Sequence, residues 1–114
     1  MNTSFPTSVL QNIVQNALED LKAHNITVLD VHNLTSLADT MVIASGTSTR
    51  HVKSIADHVQ EKARAEGIKP IGVEGEREAE WILVDFGDLI VHVMLPGTRS
   101  FYDLERLWQP DTSR

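Results

Sequence analysis

The stretch Glu80 to Trp108, EWILVDFGDLIVHVMLPGTRSFYDLERLW, constrains this chain more than any other. It holds both tryptophans, the only tyrosine and two of the three phenylalanines. Two apolar runs, Trp81 to Phe86 and Leu89 to Met94, flank Gly87-Asp88, a Gly-X pair that predicts a β-hairpin with a primed two-residue turn. With that turn, Phe86 faces Leu89, Val84 faces Val91 and Ile82 faces Val93, so one face is aliphatic and belongs on a core. The period of two sends Trp81, Leu83 and Asp85 to the opposite face, beside Met94, His92 and Ile90. That second face mixes apolar and ionisable groups.

The rest of the chain supplies a sheet and helices around this hairpin. Val9, Leu10, Ile13, Val14, Ala17, Leu18 and Leu21 recur at helical spacing from about Ser8 to His24, with Thr7 or Ser8 as cap and Asn25 as terminator. Ile26 to Val31 reads as a strand. Asp39 to Ser45 reads as a central strand, because Met41 to Ala44 is apolar on both sides. Thr47 or Ser48 caps a second helix with the stripe Val52, Ile55, Ala56, Val59 and Ala63, which Gly67 stops. Ile68 to Glu74 contains Pro70 and Gly72 and suits a short or edge strand. Ser100 with Asp103 resembles a capping box for a final helix whose stripe is Phe101, Leu104, Leu107 and Trp108. A polar tail follows from Gln109. These elements predict an α+β, layered architecture: a mixed β-sheet of about five strands with helices packed on it, in one domain over residues 1–114 with its core at about 8–108.

Composition excludes several functions. At 114 residues the chain can bury a core without staples. The absence of cysteine removes disulfides, thiol nucleophiles and thiolate metal sites. No stretch reaches the roughly eighteen apolar residues of a membrane span, and MNTSFPTS lacks the regions of a signal peptide, so a cytoplasmic protein is expected. The net charge is −6, with Glu74, Glu76, Glu78 and Glu80 interrupted only by Arg77. Such a surface repels phosphate backbones and favours a basic protein partner over nucleic acid.

Each candidate site has a structural alternative. Asp85 and Asp88 flank the turn, where aspartate is at home, and two carboxylates without a third ligand make a weak metal site. His51 and His58, seven residues apart, share a helix face without the i, i+4 spacing of a zinc pair, and read as solvated. His92, mid-strand opposite Leu83, is either a half-buried histidine satisfied by a neighbour or an interface residue. Gly46-Thr47-Ser48 lacks the lysine and the glycines of phosphate-binding loops and reads as a capped strand-to-helix turn. Trp108 looks core-like. Trp81 combines with Leu83, Ile90 and Met94 beside the acidic run, as an aromatic anchor with a charged rim does at a protein interface.

Asp39 to Val52 (DTMVIASGTSTRHV), Gly75, Glu80-Trp81, Asp85 to Asp88, His92-Val93 and Arg99 to Trp108 resemble, in order and spacing, the ribosomal silencing factor family, also called Iojap-like. The resemblance runs from the first helix to Trp108. It implies a nucleotidyltransferase-like fold without catalysis, and binding to protein fourteen of the large ribosomal subunit, where the small subunit would dock. Repression of translation when nutrients are scarce is the function this resemblance implies. Carried onto this chain, the family's positions are Trp81, Asp85, Asp88 and His92, then Arg99, Tyr102, Leu104 and Glu105. The expected partner-binding residues are Glu80, Trp81, Leu83, Asp85, Asp88, His92, Met94, Arg99 and Tyr102, although Arg99 and Tyr102 have an alternative as braces of the final helix. No cofactor, metal or catalytic residue is expected. The resemblance further implies a homodimer through the same face. The alternative, a metal-dependent nucleotidyltransferase-like enzyme using Asp85, Asp88 and His92, needs a strand-borne carboxylate pair after the Gly-Ser turn. Here that turn is followed by Asp57 within a helix.

Overall fold

A computed structural model describes residues 7–107. The element order is α1 (Thr7–Asp20), β1 (His24–Asp30), β2 (Thr40–Ser45), α2 (Thr49–Ala65), β3 (Gly72–Glu74), β4 (Trp81–Asp85), β5 (Leu89–Met94), α3 (Pro96–Tyr102) and α4 (Leu104–Leu107). The strands form one mixed sheet in the order β1-β2-β5-β4-β3, with β2 and β5 parallel and the other neighbours antiparallel. This is the five-stranded α+β layer arrangement that the sequence predicts. Every residue of β2 and β5 is buried, which is why these interior strands are the most continuously apolar.

The hairpin has the expected register: Trp81 pairs with Met94, Ile82 with Val93, Leu83 with His92, Val84 with Val91 and Asp85 with Ile90. Phe86 N–H donates to the Leu89 carbonyl at 2.9 Å, and Gly87 takes φ +96°, where a side chain would be strained. The aliphatic face of Ile82, Val84, Val91 and Val93 joins Val42 and Ala44 beneath α1 and α2. From α2 it receives Val52, Ile55, Ala56, Val59 and Ala63, the predicted stripe. Burying each such side chain is worth about 1.5–3 kcal/mol, so this two-layer core dominates the fold.

The helix ends follow local chemistry. Ser48 caps α2, its Oγ accepting from His51 N–H at 3.1 Å. Beyond α2, Gly67 N–H donates to the Arg64 carbonyl and Ile68 N–H to that of Ala63. Thr7 and Ser8, expected as caps, lie inside α1, and Val9 is 41% exposed rather than core. α1 stops at Asp20, not His24, because Lys22 turns left-handed at φ 59°. Lys22 N–H then reaches the Glu19 carbonyl and Ala23 N–H the Leu18 carbonyl, a Schellman closure without its usual glycine. Lys22→Gly is accordingly expected to stabilise the protein by about 0.5–1 kcal/mol, raising the thermal midpoint by a few degrees. An unchanged or lower midpoint would contradict this reading of the helix end.

The C-terminal part departs most from expectation. α3 begins at Pro96, in the N1 position that proline suits, with Leu95 as a cap that makes no side-chain bond. Ser100 and Asp103 are not its capping box; Asp103 ends α3 with φ 51°, and α4 follows as a separate short helix. Phe101 and Leu107 are 80% and 68% exposed, so the expected apolar stripe does not enter the core. Trp108 and the polar tail lie outside the described residues.

Candidate functional site

The second face of the sheet carries Met41, Ile43 and Ser45 from β2, Ile90, His92 and Met94 from β5, and Trp81, Leu83 and Asp85 from β4. This face is closed over the interior strands, where every residue of β2 and β5 is buried, and stays partly open along β4. At one end Val31 and Ala38, from the β1–β2 loop, pack with Met41, Ile90, Leu29 and Leu83. At the other end lies α3. Between them Trp81 and Leu83 remain half-buried, whereas the first-face residues Ile82 and Val84 between and beside them are 0% exposed.

Trp81 is held from two sides. Its Nε1–H donates to His92 Nδ1 at 2.9 Å, and its ring lies 4.9 Å from that of Tyr102, tilted by 49°. Tyr102 in turn meets Phe101 edge-on at 5.0 Å. Because Nδ1 accepts, the neutral imidazole of His92 carries its proton on Nε2, a buried atom without a hydrogen-bond partner. Burial pushes the His92 pKa down to about 4, so the ring is neutral at physiological pH. Gly75 fits this geometry closely: it adopts φ +88°, and a Cβ there would overlap the Trp81 carbonyl oxygen.

Arg99, 8% exposed, is the brace rather than an open contact. Its Nη1 donates to Ser45 Oγ at 2.8 Å and its Nη2 to Thr27 Oγ1 at 3.0 Å. Nε and Nη2 grip the Glu105 carboxylate at 2.8 and 2.9 Å, and this pairing holds the Glu105 pKa below the usual carboxylate range. One guanidinium thus ties α3 and α4 to β1 and β2. A polar cavity of about 410 Å³ opens beside it, lined by Asn25, Ser45, Arg99, Ser100 and Glu105 among others.

The remaining candidates divide by exposure. Met94 is 0% exposed and His92 5%, so neither presents surface; they support Trp81 from beneath. Asp85 Oδ1 accepts from Gly87 N–H at 2.8 Å and shapes the turn. Asp88 is exposed, and its carbonyl receives Asp39 N–H at 2.8 Å and Thr40 N–H at 3.0 Å. Glu80 is exposed next to Trp81, as are Glu74, Glu76 and Glu78. Among the described residues no three acidic, histidine or cysteine side chains converge as a metal site requires. Nor is any described helix long and apolar enough to cross a membrane.

Two histidines are corrected. His51 is not simply solvated: its Nδ1 accepts from Thr47 N–H at 2.9 Å, leaving Nε2–H to donate to the Leu21 carbonyl at 2.7 Å. His58 lies 3.0 Å from Asp20. Both join α2 to the end of α1, contacts between residues 30 and 38 positions apart that helical spacing cannot reveal. Sequence reasoning also missed Phe101 as a surface residue; its spacing with Leu104 argued for the core, and only its neighbour Asp103, an αL-tolerant residue, hinted at a break.

Over residues 4–114 the chain matches the protein family described as ribosomal silencing factor during starvation. It is 50% identical over 92 residues to the ribosomal silencing factor RsfS of Chromobacterium violaceum, covering 81% of this chain and 75% of that one. Its identity to the RsfS of Zymomonas mobilis is 40% over 106 residues, 93% of this chain and 80% of the other. A crystal structure of a Chromobacterium violaceum protein superposes with a TM-score of 0.89 at 42% identity, covering 96% of this chain and 94% of that one.

Proposed function

Because this chain belongs to the ribosomal silencing factor family, we propose that it is a non-catalytic repressor of translation that binds the large ribosomal subunit and keeps the small subunit from joining. The contact is protein fourteen of the large subunit, and the surface is the second face of the sheet. The observation that carries this reading is Trp81: a half-buried indole, fixed by His92 and Tyr102, on an incompletely covered face beside four exposed glutamates. Rigid aromatic anchors within charged rims are where interfaces concentrate their affinity. Trp81 and Leu83 supply the apolar centre. Glu80 and Asp88 supply carboxylates for the lysines and arginines of a basic partner, mainly raising the association rate and its salt sensitivity, while Asp85 holds the turn between them.

Met94, His92 and Arg99 act beneath this surface, positioning Trp81 and α3. No observation favours the nucleotidyltransferase-like alternative: Asp85 is engaged by the turn, and Asp57 lies on α2 with Lys53 Nζ at 2.8 Å.

The test is co-sedimentation with isolated ribosomal subunits. The protein is expected to pellet with large and not small subunits, and Trp81→Ala to weaken that binding by about 2 kcal/mol, roughly thirtyfold. A folded Trp81→Ala variant with undiminished affinity would remove the anchor. Failure of the wild type to bind large subunits would remove the function.

A further inference from the structure

We infer that the docking surface continues beyond Trp81 onto α3, with Phe101 as its outer anchor, and that its occupant is the same basic protein face; this rests on the ribosome-binding reading above. Phe101 is 80% exposed and Tyr102 54%. Isolated exposed apolar side chains are ordinary. These two are not isolated, because the rings form a contiguous row: Phe101 to Tyr102 at 5.0 Å, Tyr102 to Trp81 at 4.9 Å and Trp81 to His92 at 5.9 Å. The row runs from a buried strand outward to solvent.

The row is also held rigidly. α3 is pinned by the four hydrogen bonds of Arg99 to Thr27, Ser45 and Glu105, and its start by Leu95 N–H to the Glu80 carbonyl at 2.9 Å. Exposure of Phe101 is therefore a property of the packed helix, and a partner meets the ring without first having to order it.

Charge selects the occupant. The loop leading into Trp81 exposes Glu74, Glu76, Glu78 and Glu80 against one cation, Arg77, and Asp103 follows Tyr102 at the surface. Arg99 offers no free charge, since its guanidinium is buried on Glu105. Arg106 is the exposed cation of α4 and leaves the surroundings acidic. A second copy would bring this acidic rim near its own counterpart across a two-fold axis, in a chain of net charge −6, so charge favours a basic partner over the expected homodimer at this face. A polyanion would meet the same repulsion. A basic protein surface with an apolar cleft fits.

The experiment measures the affinity of Phe101→Ser and Phe101→Leu for isolated large subunits, with Val9→Ser as control. Val9 is 41% exposed on α1, which packs on the opposite face of the sheet. Phe101→Ser is expected to bind about tenfold more weakly with an unchanged thermal midpoint, Phe101→Leu to retain most of the affinity, and Val9→Ser to match wild type. Equal affinity of wild type and Phe101→Ser would overturn the inference while leaving the ribosome-binding reading intact. A wild type that ignores large subunits would end both. Sedimentation equilibrium showing a dimer that Phe101→Ser abolishes, with subunit binding untouched, would assign the ring to self-association instead.

Discussion

Replacing Arg99 with methionine is expected to lower the stability of the protein by about 3 kcal/mol, although the position lies on a seven-residue helix near the chain's end. The volume of the side chain is nearly kept, so the loss is polar. Ser45, 1% exposed, loses its partner, and an unsatisfied buried hydroxyl costs about 1–3 kcal/mol. Thr27 and both oxygens of Glu105 lose theirs as well. Glu105 keeps 28% of its side chain exposed and can turn to water, which holds the estimate at the lower end of what breaking a buried ion pair costs. Lysine should rescue little, because one ammonium cannot reproduce a fork that serves β1, β2 and α4 together. Urea unfolding measures the effect as a lower midpoint at constant slope. A loss under about 1 kcal/mol would mean that α3 and α4 are held by something else.

The second large effect is a dependence on pH between about 6.5 and 4. His92 has a folded pKa of about 4, lowered by burial from an ordinary value of 6.5. Above pH 6.5 the ring is neutral in both states, and the fold keeps its full stability. As the pH falls through this window the unfolded chain takes up a proton that the folded chain refuses, so stability declines with decreasing pH. The total, about 2.5 pKa units at 1.36 kcal/mol each, is roughly 3 kcal/mol, and the decline levels off below pH 4. His32 shifts in the opposite direction, raised by Asp30, but is fully exposed and only opposes the trend. The lowered pKa of Glu105 acts chiefly at lower pH, where carboxylates protonate. His92→Phe isolates the effect: the variant loses the acceptor for Trp81 Nε1–H at every pH, but its stability should no longer decline as the pH falls through the window. Parallel slopes for wild type and variant would refute the assignment.

These two residues also mark where sequence reading stopped. The hairpin register was legible to the residue, because a slip by one position would turn Ile82, Val84, Val91 and Val93 to the wrong face. The α2 stripe and its Ser48 cap were legible for the same local reason, since helical period and capping geometry are set within a few residues. α3 and α4 were misread: the spacing of Phe101, Leu104 and Leu107 resembles a core-facing helix, and the αL tolerance of Asp103 is too weak a local signal to announce the break. The burial of Met94 and the orphaned Nε2 of His92 were equally silent, because both depend on what lies over the second face.

The order of elements through β5, the mixed five-stranded sheet, the aliphatic core face and the family resemblance all came from the sequence by itself, through patterns whose period matches the backbone's own. Which side of Trp81 would stay open, and which charges would be spent internally, only the tertiary structure decided. Arg99 finds Ser45 and Thr27 across 54 and 72 positions of chain. A partner at that separation is chosen by packing, and packing leaves no periodic trace in the sequence.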